Sequence, residues 1–378
     1  MAPGSAEQRN MKVAVLGCGA LGGVMAARLA GAAGITLEVY NRNPEIARAI
    51  EAGGLVLVEG ARKSVAQVRL LPPPQETTKG TGLLHLVILA TKAVGLLEAA
   101  RRLLPTLRDD GVFITVQNGL VAQDLVDALG PQRVVAGSVL WGASMDAPGV
   151  YRITAHGPFI LGRLRAADGR PVESRSPTSL RDSAVDRAAA EDRAVSGAAS
   201  VDRAAAVLEN VFPVLRSDNM LGVLWSKLAI TASFTTLGGI TGLRFGELVR
   251  RRSTRRILLG LGAEVLAVAQ SLGVALEPLG GGLNVERFLS PSGYPPLLKH
   301  LLMRIVGGKH RSTESAMLDS LRRGRKTELE FINGYVVRLA EETGVPCPLN
   351  RTALKMVREM EAGRIEPSVD HLRRFTIG

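Results

Sequence analysis

The chain has 378 residues, of which 46% are hydrophobic and 22% charged, with a formal net charge of +12. This length suffices for two domains with separate cores, and this balance is ordinary for a globular protein. No apolar run reaches the roughly 18 residues of a membrane span, and residues 1–10 lack an apolar signal region. We therefore expect no membrane partner, and a loose tail over 1–10.

The sequence contains two cysteines, Cys18 and Cys347, whose spacing suggests neither a disulfide nor a metal site. We therefore expect a protein of the reducing cytoplasm, with no metal.

The first predicted elements are a strand, a glycine turn and a helix. The apolar segment 11–16 runs directly into Gly-Cys-Gly-Ala-Leu-Gly. Gly17 permits the tight turn, Gly19 lets the backbone approach a pyrophosphate, and Gly22 lets the helix pack close to the strand. The N-terminus of the helix offers N–H groups to phosphates. The predicted cofactor-binding residues here are Gly17, Cys18, Gly19, Ala20, Leu21 and Gly22.

The second strand, predicted over 35–40, indicates which dinucleotide binds. It ends at Asn41 and Arg42, where a chain that prefers NAD has Asp or Glu for the ribose 2′-hydroxyl. A guanidinium suits a 2′-phosphate, because it offers planar, bidentate donors to an anion. We predict NADP as the cofactor; the alternative is that Arg42 is a solvated surface residue.

Residues 11–164 alternate strand and helix, which predicts an α/β domain with a mostly parallel sheet. The carboxyl ends of parallel strands meet at one edge, where ligands bind. Lys92 and Asn118 follow two buried strands, so we expect them at that edge with Gly17 and Arg42. The further strands are predicted at 85–90, 111–116, 134–139, 150–154 and 159–161, with a helix over 96–104.

Residues 165–203 differ from their surroundings, since Val-Asp-Arg-Ala-Ala-Ala occurs at 185 and again at 201 and large apolar residues are scarce. We predict a low-complexity insertion without a catalytic role. Residues 204–378 are predicted to form an all-helical domain. Its helices are expected at 204–215, 221–237 (ended by Gly238-Gly239), 257–272, 326–342 and 351–362.

Two residues of the helical half are candidates for acid–base chemistry. Lys227 shares one helical stripe with Thr231 and Thr235, at i, i+4 and i+8. Glu328 stands at the start of a predicted helix, where a carboxylate favours the dipole. From spacing alone, a snorkelling lysine and a capping carboxylate remain the alternatives.

The ordered set of short motifs resembles the ketopantoate reductase family. The resemblance covers nearly the whole chain except the tail, the insertion and residues 279–311. It implies a Rossmann domain followed by a helical domain, with the active site in the cleft between them, and reduction of 2-dehydropantoate to pantoate with NADPH, towards pantothenate and coenzyme A. The motifs are Gly17–Gly22, Thr91-Lys92, Gln117-Asn118-Gly119, Gly157-Pro158, Trp225-Ser-Lys-Leu228, Met317-Leu318, Thr327-Glu-Leu329 and Ile332-Asn-Gly334.

The resemblance also implies residue roles. Lys227 corresponds to the catalytic lysine, the general acid, and Glu328 to the carboxylate that completes its proton network. Asn118 is expected beside the nicotinamide and the substrate, and Arg42 and Lys92 at the cofactor phosphates. By the same analogy, a homodimer is expected.

The chain departs from the family pattern where the substrate is expected to bind. The family usually has asparagines at the positions of Thr231 and Thr235, and a serine at Ala316. Lost hydrogen-bond partners alter specificity strongly. We predict reduction of a 2-oxo acid, with ketopantoate the leading substrate and another 2-oxo acid, ketone or imine the alternative.

Two alternatives come from other classes of function. A non-catalytic NADP-binding regulator would use Lys227 structurally. A scaffold that binds nucleic acid would use the arginine runs, such as 250–252 and 322–325. Aromatic residues make up only 4% of the chain, too few for stacking platforms. We therefore expect no nucleic-acid partner and assign the positive charge to solvated faces and to the attraction of anionic ligands.

Overall fold

The computed structural model describes residues 10–72, 83–164, 198–279, 282–309 and 311–376. Contacts divide them into two units: residues 10–117, 121–164 and 198–220 form the first, and 118–120 and 221–376 form the second. The predicted tail and most of the predicted insertion lie outside the described residues.

The first unit contains all twelve strands of the described chain. They are β1 (Met11–Leu16), β2 (Ile35–Tyr40), β3 (Leu55–Glu59), β4 (Arg62–Ala66), β5 (Arg69–Leu71), β6 (Leu84–Leu89), β7 (Leu107–Thr115), β8 (Val134–Val139), β9 (Gly142–Ala147), β10 (Val150–Ala155), β11 (Phe159–Gly162) and β12 (Val214–Arg216). Its helices are α1 (Ala20–Leu29), α2 (Pro44–Gly53), α3 (Leu96–Leu103), α4 (Val121–Leu129) and α5, described over 198–208.

Eight strands form one sheet in the order β12-β11-β8-β7-β6-β1-β2-β5. All neighbouring pairs are parallel except β8 with β11, which confirms the prediction of a mostly parallel sheet. The central strands are apolar and buried along almost their whole length, as expected of a sheet covered on both faces.

A second sheet, in the order β4-β3-β10-β9, was not predicted. The segment 150–154, predicted among the strands of the first domain, lies here and not in the main sheet. The β3–β4 hairpin gave no clear signal because β4 is polar and mostly exposed.

The helix predicted over 204–215 is wrong in its bounds. Residues 198–208 are helical, whereas Val214–Arg216 is a strand paired with β11. Both elements belong to the first unit, because Val207, Leu208 and Phe212 pack in its core. The second unit therefore begins near residue 221 and not at 204. Apolar spacing marks a buried helix without indicating which core it joins.

The second unit is helical over its described residues, apart from one bridge between Leu279 and Leu283. Its helices are α6 (Met220–Ile230), a π-helical turn (Thr231–Thr235), α7 (Thr236–Thr241), α8 (Phe245–Arg250), α9 (Arg252–Ser271), α10 (Val285–Leu289), α11 (Pro296–Lys309), α12 (Ala316–Arg322), α13 (Asn333–Thr343) and α14 (Pro348–Glu361). Short 3₁₀ turns lie at Leu329–Phe331 and Val369–Arg374.

α6, the π turn and α7 form one continuous helix of 22 residues, Met220–Thr241. Within the described chain, it is the one helix long and apolar enough to cross a membrane, but 72% of its apolar window is buried inside the fold. A buried core helix passes the same test of length and composition.

Several predicted helix bounds in this unit are wrong. The helices predicted from 257 and 351 begin earlier, at Arg252 and Pro348. The glycines Gly238 and Gly239 do not end the long helix, which ends at Gly242 with a φ of +73°. They allow close packing instead, since a Cβ on Gly239 would lie 3.0 Å from the Met317 side chain. The helix predicted over 326–342 begins only at Asn333, after a 3₁₀ turn.

Candidate functional site

The glycine turn of the first unit has the geometry of a phosphate cradle. Gly17 has a φ of +101°, and a Cβ on it would lie 2.7 Å from Cγ2 of Thr91. A Cβ on Gly22 would lie 1.9 Å from the carbonyl oxygen of Gly17, so α1 packs tightly against the turn. By contrast, a Cβ on Gly19 would meet nothing within 4 Å. The tight turn is thus open on one side, at Gly19, where a ligand could approach the backbone.

α1 presents its N-terminus at this open side. Gly19 is the N-cap, no side chain caps the helix, and the first turn contains no acidic residue. The first N–H groups of a helix have no partner within the helix, and they favour an anion. Together with Gly19, this helix end fits the pyrophosphate of a dinucleotide.

Tyr151, which sequence reasoning did not identify, supports the turn from the second sheet. Its hydroxyl donates to the carbonyl oxygen of Cys18 at 3.0 Å. A Cβ on Gly23 would lie 2.1 Å from its ring, so that glycine is needed for the contact. Burial raises the pKa of the Cys18 thiol to about 12, so Cys18 is a neutral packing residue.

The tip of β2 leaves one side chain available for a ligand. Asn43 caps α2, accepting from the N–H groups of Glu45 and Ile46, and Asn41 donates to the carbonyl oxygen of Asn43 at 2.9 Å. Arg42, between them, is exposed and forms no ion pair with any residue that the structure describes. Within the described part of the chain, this guanidinium has no carboxylate partner that would compete with an anion at the sheet edge.

The loop after β6 is held by Gln117, a residue of the 117–119 motif for which no role was predicted. Its side-chain amide donates to the carbonyl oxygens of Leu89 and Thr91, at 2.5 and 2.8 Å, and its oxygen accepts from the N–H of Val116. The exposed Lys92 follows this clamped turn. Gln117 thus fixes the backbone from which Lys92 projects.

Lys227 lies near the end of α6, in the second unit, and is half-buried. Burial lowers its pKa from 10.5 to about 8, and the negative charge of Glu328 opposes this change. Both charged and neutral forms are therefore populated near neutral pH, which suits a general acid. The structure brings these two predicted residues into electrostatic contact.

The π turn directly follows α6, the helix that carries Lys227, and contains both predicted threonines. An α-helix has about 3.6 residues per turn, so a stripe at every fourth residue drifts around the axis. A π turn is wider, and reduces this drift. The Thr231 hydroxyl donates to the carbonyl oxygen of Lys227 at 2.9 Å, whereas Thr235 is half-buried.

At the predicted position Ala316 the structure offers no side-chain donor, because alanine has none and is exposed at the start of α12. The buried neighbour Ser315 does not replace it. Its hydroxyl donates to the carbonyl oxygen of Thr235 at 2.6 Å and accepts from two N–H groups as the N-cap of α12. Its proton is therefore committed to the end of the π turn.

Glu328 occupies the N-cap position of the 3₁₀ turn Leu329–Phe331, and not the start of the long helix that the sequence predicted. It precedes the 3₁₀ turn with φ −90° and ψ 19°, and makes no side-chain cap hydrogen bond. These angles lie in the sparsely populated bridge region, where many active-site residues occur.

Asn118 belongs to the same unit as Lys227 and Glu328, although it follows β7 in the chain. The adjoining Gly119 explains this placement, since a Cβ on it would lie 2.3 Å from the carbonyl oxygen of Phe331. Asn118 itself is half-buried.

A buried polar network, also unpredicted, fixes the π turn. Asn333 donates to the carbonyl oxygen of Ala232 at 3.0 Å and accepts from the Thr236 hydroxyl at 2.5 Å. It also donates to Asn350, whose amide reaches Glu264 at 2.8 Å. Both asparagines are fully buried. Nothing in their spacing distinguishes them from surface asparagines, because the network arises only from tertiary packing.

Comparison with known families gives the site its context. The family described as ketopantoate reductase PanE/ApbA matches residues 13–166, and its C-terminal counterpart matches residues 219–361. The chain belongs to the ketopantoate reductase family. It is 28% identical to the 2-dehydropantoate 2-reductase of Mesorhizobium japonicum, over 94% of this chain and 99% of the relative. That of Pyrococcus abyssi is 24% identical, over 93% and 98%.

Solved structures agree with this assignment. The PanE/ApbA family ketopantoate reductase from Ralstonia eutropha JMP134 aligns with a TM-score of 0.71 and 27% identity, over 94% of this chain and 99% of that one. D-mandelate dehydrogenase, solved with NADH and anilino(oxo)acetate, has a TM-score of 0.69 at 19% identity, with the same coverage. The second comparison supports the fold alone.

Proposed function

We propose that this protein reduces a 2-oxo acid to a 2-hydroxy acid with NADPH, and that 2-dehydropantoate, reduced to pantoate, is the leading substrate. The observation that carries the proposal is Lys227, a half-buried lysine with a pKa near 8 beside Glu328, in a chain of this family. The relatives named 2-dehydropantoate 2-reductase span nearly the whole chain, which supports the same reaction.

The first unit would hold the cofactor. Gly19 and the N-terminus of α1 suit the pyrophosphate, while Arg42 and Lys92 suit further phosphate oxygens. When bound, NADPH supplies a hydride to the carbonyl carbon of the substrate. NADP, rather than NAD, is proposed because the β2 tip presents an exposed guanidinium and no carboxylate at 41 or 42.

Lys227 would act at the carbonyl oxygen. As hydride adds to the carbon, the C=O π bond breaks and negative charge develops on oxygen, which the ammonium stabilises and then protonates. The alcohol forms with one hydride and one proton, and neutral Lys227 must regain a proton from solvent. Glu328, whose charge favours the ammonium form, promotes this return.

A second candidate substrate class is favoured by the residues around Lys227. The Thr231 proton is committed to a backbone carbonyl, and Ala316 offers no donor. Thr235 and Asn118 remain as donors for a substrate carboxylate or hydroxyl. A smaller or less polar 2-oxo acid, a ketone or an imine would need fewer donors than ketopantoate.

A substrate panel tests the proposal. NADPH consumption is followed with purified protein and a series of 2-oxo acids that includes ketopantoate, with simple ketones and cyclic imines as further arms. We expect turnover with at least one 2-oxo acid and a strong preference for NADPH over NADH. NADPH binding without reduction of any carbonyl or imine would favour the regulator instead. Cytoplasmic location and a homodimer remain predictions.

A further inference from the structure

The segment that carries Glu328 is held on both sides by the last turn of α14. We infer that Glu361, through Thr327, and Arg358, through Glu330, are positioning residues that hold Glu328 in place for Lys227. The inference rests on the proposed function for the role of Lys227, but the contacts that carry it lie within the second unit.

On one side, Glu361 binds Thr327, the residue before Glu328. The Glu361 carboxylate accepts from the N–H of Thr327 at 2.8 Å, from its hydroxyl at 2.7 Å, and from the Lys326 ammonium at 3.2 Å. The Thr327 hydroxyl also accepts from the N–H of Leu329 at 3.1 Å. These bonds tie the backbone on either side of Glu328 to the end of α14.

Glu361 is suited to this task because it is both buried and charged. Its side chain is 8% exposed. Burial acts to raise the pKa of its carboxyl, but the hydrogen bonds from Thr327 and Lys326 outweigh it, so the pKa lies below its ordinary value. A buried carboxylate with three donors holds a backbone segment more firmly than a solvated one.

On the other side, Arg358 binds Glu330 in a bidentate pair. Its Nε and Nη2 donate to the two carboxylate oxygens, both at 2.8 Å. Arg358 and Glu361 are three residues apart, so one turn of α14 presents both partners. The pair is exposed, so it contributes little to the free energy of unfolding. Its contribution is to fix the position of Glu330 relative to α14.

The contacts of Glu361 with Thr327 and of Arg358 with Glu330 together form a clamp on the segment that carries Glu328. This clamp matters because a carboxylate affects the pKa of a nearby amine only if the distance between the two groups is maintained. Glu328 is the charged group whose field acts on Lys227, and it raises that residue's pKa. If the segment around Glu328 loosens, the carboxylate spends time further away and the pKa of Lys227 falls. A residue that only stabilises the fold would not produce this shift.

Two changes without a net change in charge weaken the clamp, one on each side of Glu328. Thr327→Val removes the hydroxyl, and Arg358→Gln with Glu330→Gln removes the bidentate pair. The matched control is Arg351→Gln with Glu341→Gln, which removes an exposed pair of 2.6 Å that also involves α14. Thr327→Ser keeps the hydroxyl and should behave as the parent. Glu328→Gln gives the shift for complete loss of the carboxylate.

The first readout is the pKa of Lys227, from the pH dependence of its acetylation, quantified at that residue by mass spectrometry. We expect it to fall by roughly half a unit in Thr327→Val and in the Arg358/Glu330 double variant, and further in Glu328→Gln. The control pair and Thr327→Ser should leave it unchanged. The second readout is kcat, which should fall in the two clamp variants while KM for NADPH stays constant.

An unchanged pKa of Lys227 in both clamp variants would overturn the inference, even if one of them folds poorly. This outcome differs from failure of the proposed function. If the pKa of Lys227 shifts but no 2-oxo acid is reduced, the clamp is supported and the proposed function fails. If a 2-oxo acid is reduced but the pKa does not shift, the proposed function is supported and the clamp fails.

Discussion

At the scale of single residues, the chemistry depends on a lysine that the fold keeps partly uncharged. Burial takes the pKa of Lys227 to about 8, and Glu328 limits the change. The folded pKa lies below the unfolded value, so the unfolded chain binds more protons between about pH 8 and 10. Lys227 therefore costs stability below that range, and the cost disappears as pH rises through it.

The pH dependence of turnover follows from this pKa. If protonated Lys227 donates to the substrate oxygen, kcat/KM should be constant below about pH 8 and fall about tenfold per unit above it. In Glu328→Gln the fall should begin at lower pH. Steady-state rates between pH 6 and 10 test this expectation. A profile that stays flat to pH 10 would exclude Lys227 as the proton donor.

Arg42 determines cofactor preference in this account. Loss of a charge-assisted pair with a 2′-phosphate should raise KM for NADPH about 10- to 100-fold in Arg42→Ala, with little effect on NADH. Arg48→Ala, an exposed arginine on α2, is the matched control. Equal losses with both cofactors would assign Arg42 to a structural role.

At the scale of elements, the π turn is the feature that the network around Asn333 stabilises. The i→i+5 hydrogen bonds of the π turn interrupt the regular i→i+4 pattern of the α-helix. The side-chain amide of Asn333 donates to the carbonyl oxygen of Ala232 in this turn. The hydroxyl of Ser315 donates to the carbonyl oxygen of Thr235, at the end of the turn. The turn that follows Lys227 is thereby anchored to α12, α13 and α14.

Removal of Asn333 should therefore be costly. Asn333→Leu has similar volume but leaves buried groups on Ala232, Thr236 and Asn350 without a partner, so we expect a loss of about 3 kcal/mol in unfolding free energy. Urea unfolding in a Trp141→Phe background, followed by Trp225 fluorescence, reports on the second unit. Gln270→Leu, at an exposed position of α9 in the same unit, should cost under about 1 kcal/mol. Similar losses for both would contradict the role of the network.

The sequence predicted buried elements well and polar or long-range ones poorly. β1, β2 and β8 were predicted with their observed ends, because a continuous apolar run bounded by polar or glycine residues marks a buried parallel strand. The exposed β4 was missed for the opposite reason. Lys227 received its role through family resemblance. Asn333 lies in a motif of the same resemblance, but its role, like that of Glu361, depends on partners distant in sequence, which no local pattern reveals.

At the scale of the whole molecule, the net charge of +12 should favour association with anions. We expect kcat/KM for NADPH to fall several-fold as ionic strength rises from about 20 to 200 mM, with kcat constant. NADH, which lacks the 2′-phosphate, should show a weaker dependence. A flat response, together with tight and steeply salt-dependent binding of DNA, would instead favour the nucleic-acid scaffold.

The central claim is that Lys227 supplies the proton and does not bind the cofactor. The most direct test compares Lys227→Met with the parent protein, measuring NADPH affinity by calorimetry and turnover on the best 2-oxo acid at pH 7. The account predicts a loss of turnover by at least about 100-fold with NADPH affinity nearly unchanged, and a higher melting temperature because a costly buried charge is gone. Turnover that survives in Lys227→Met would contradict it.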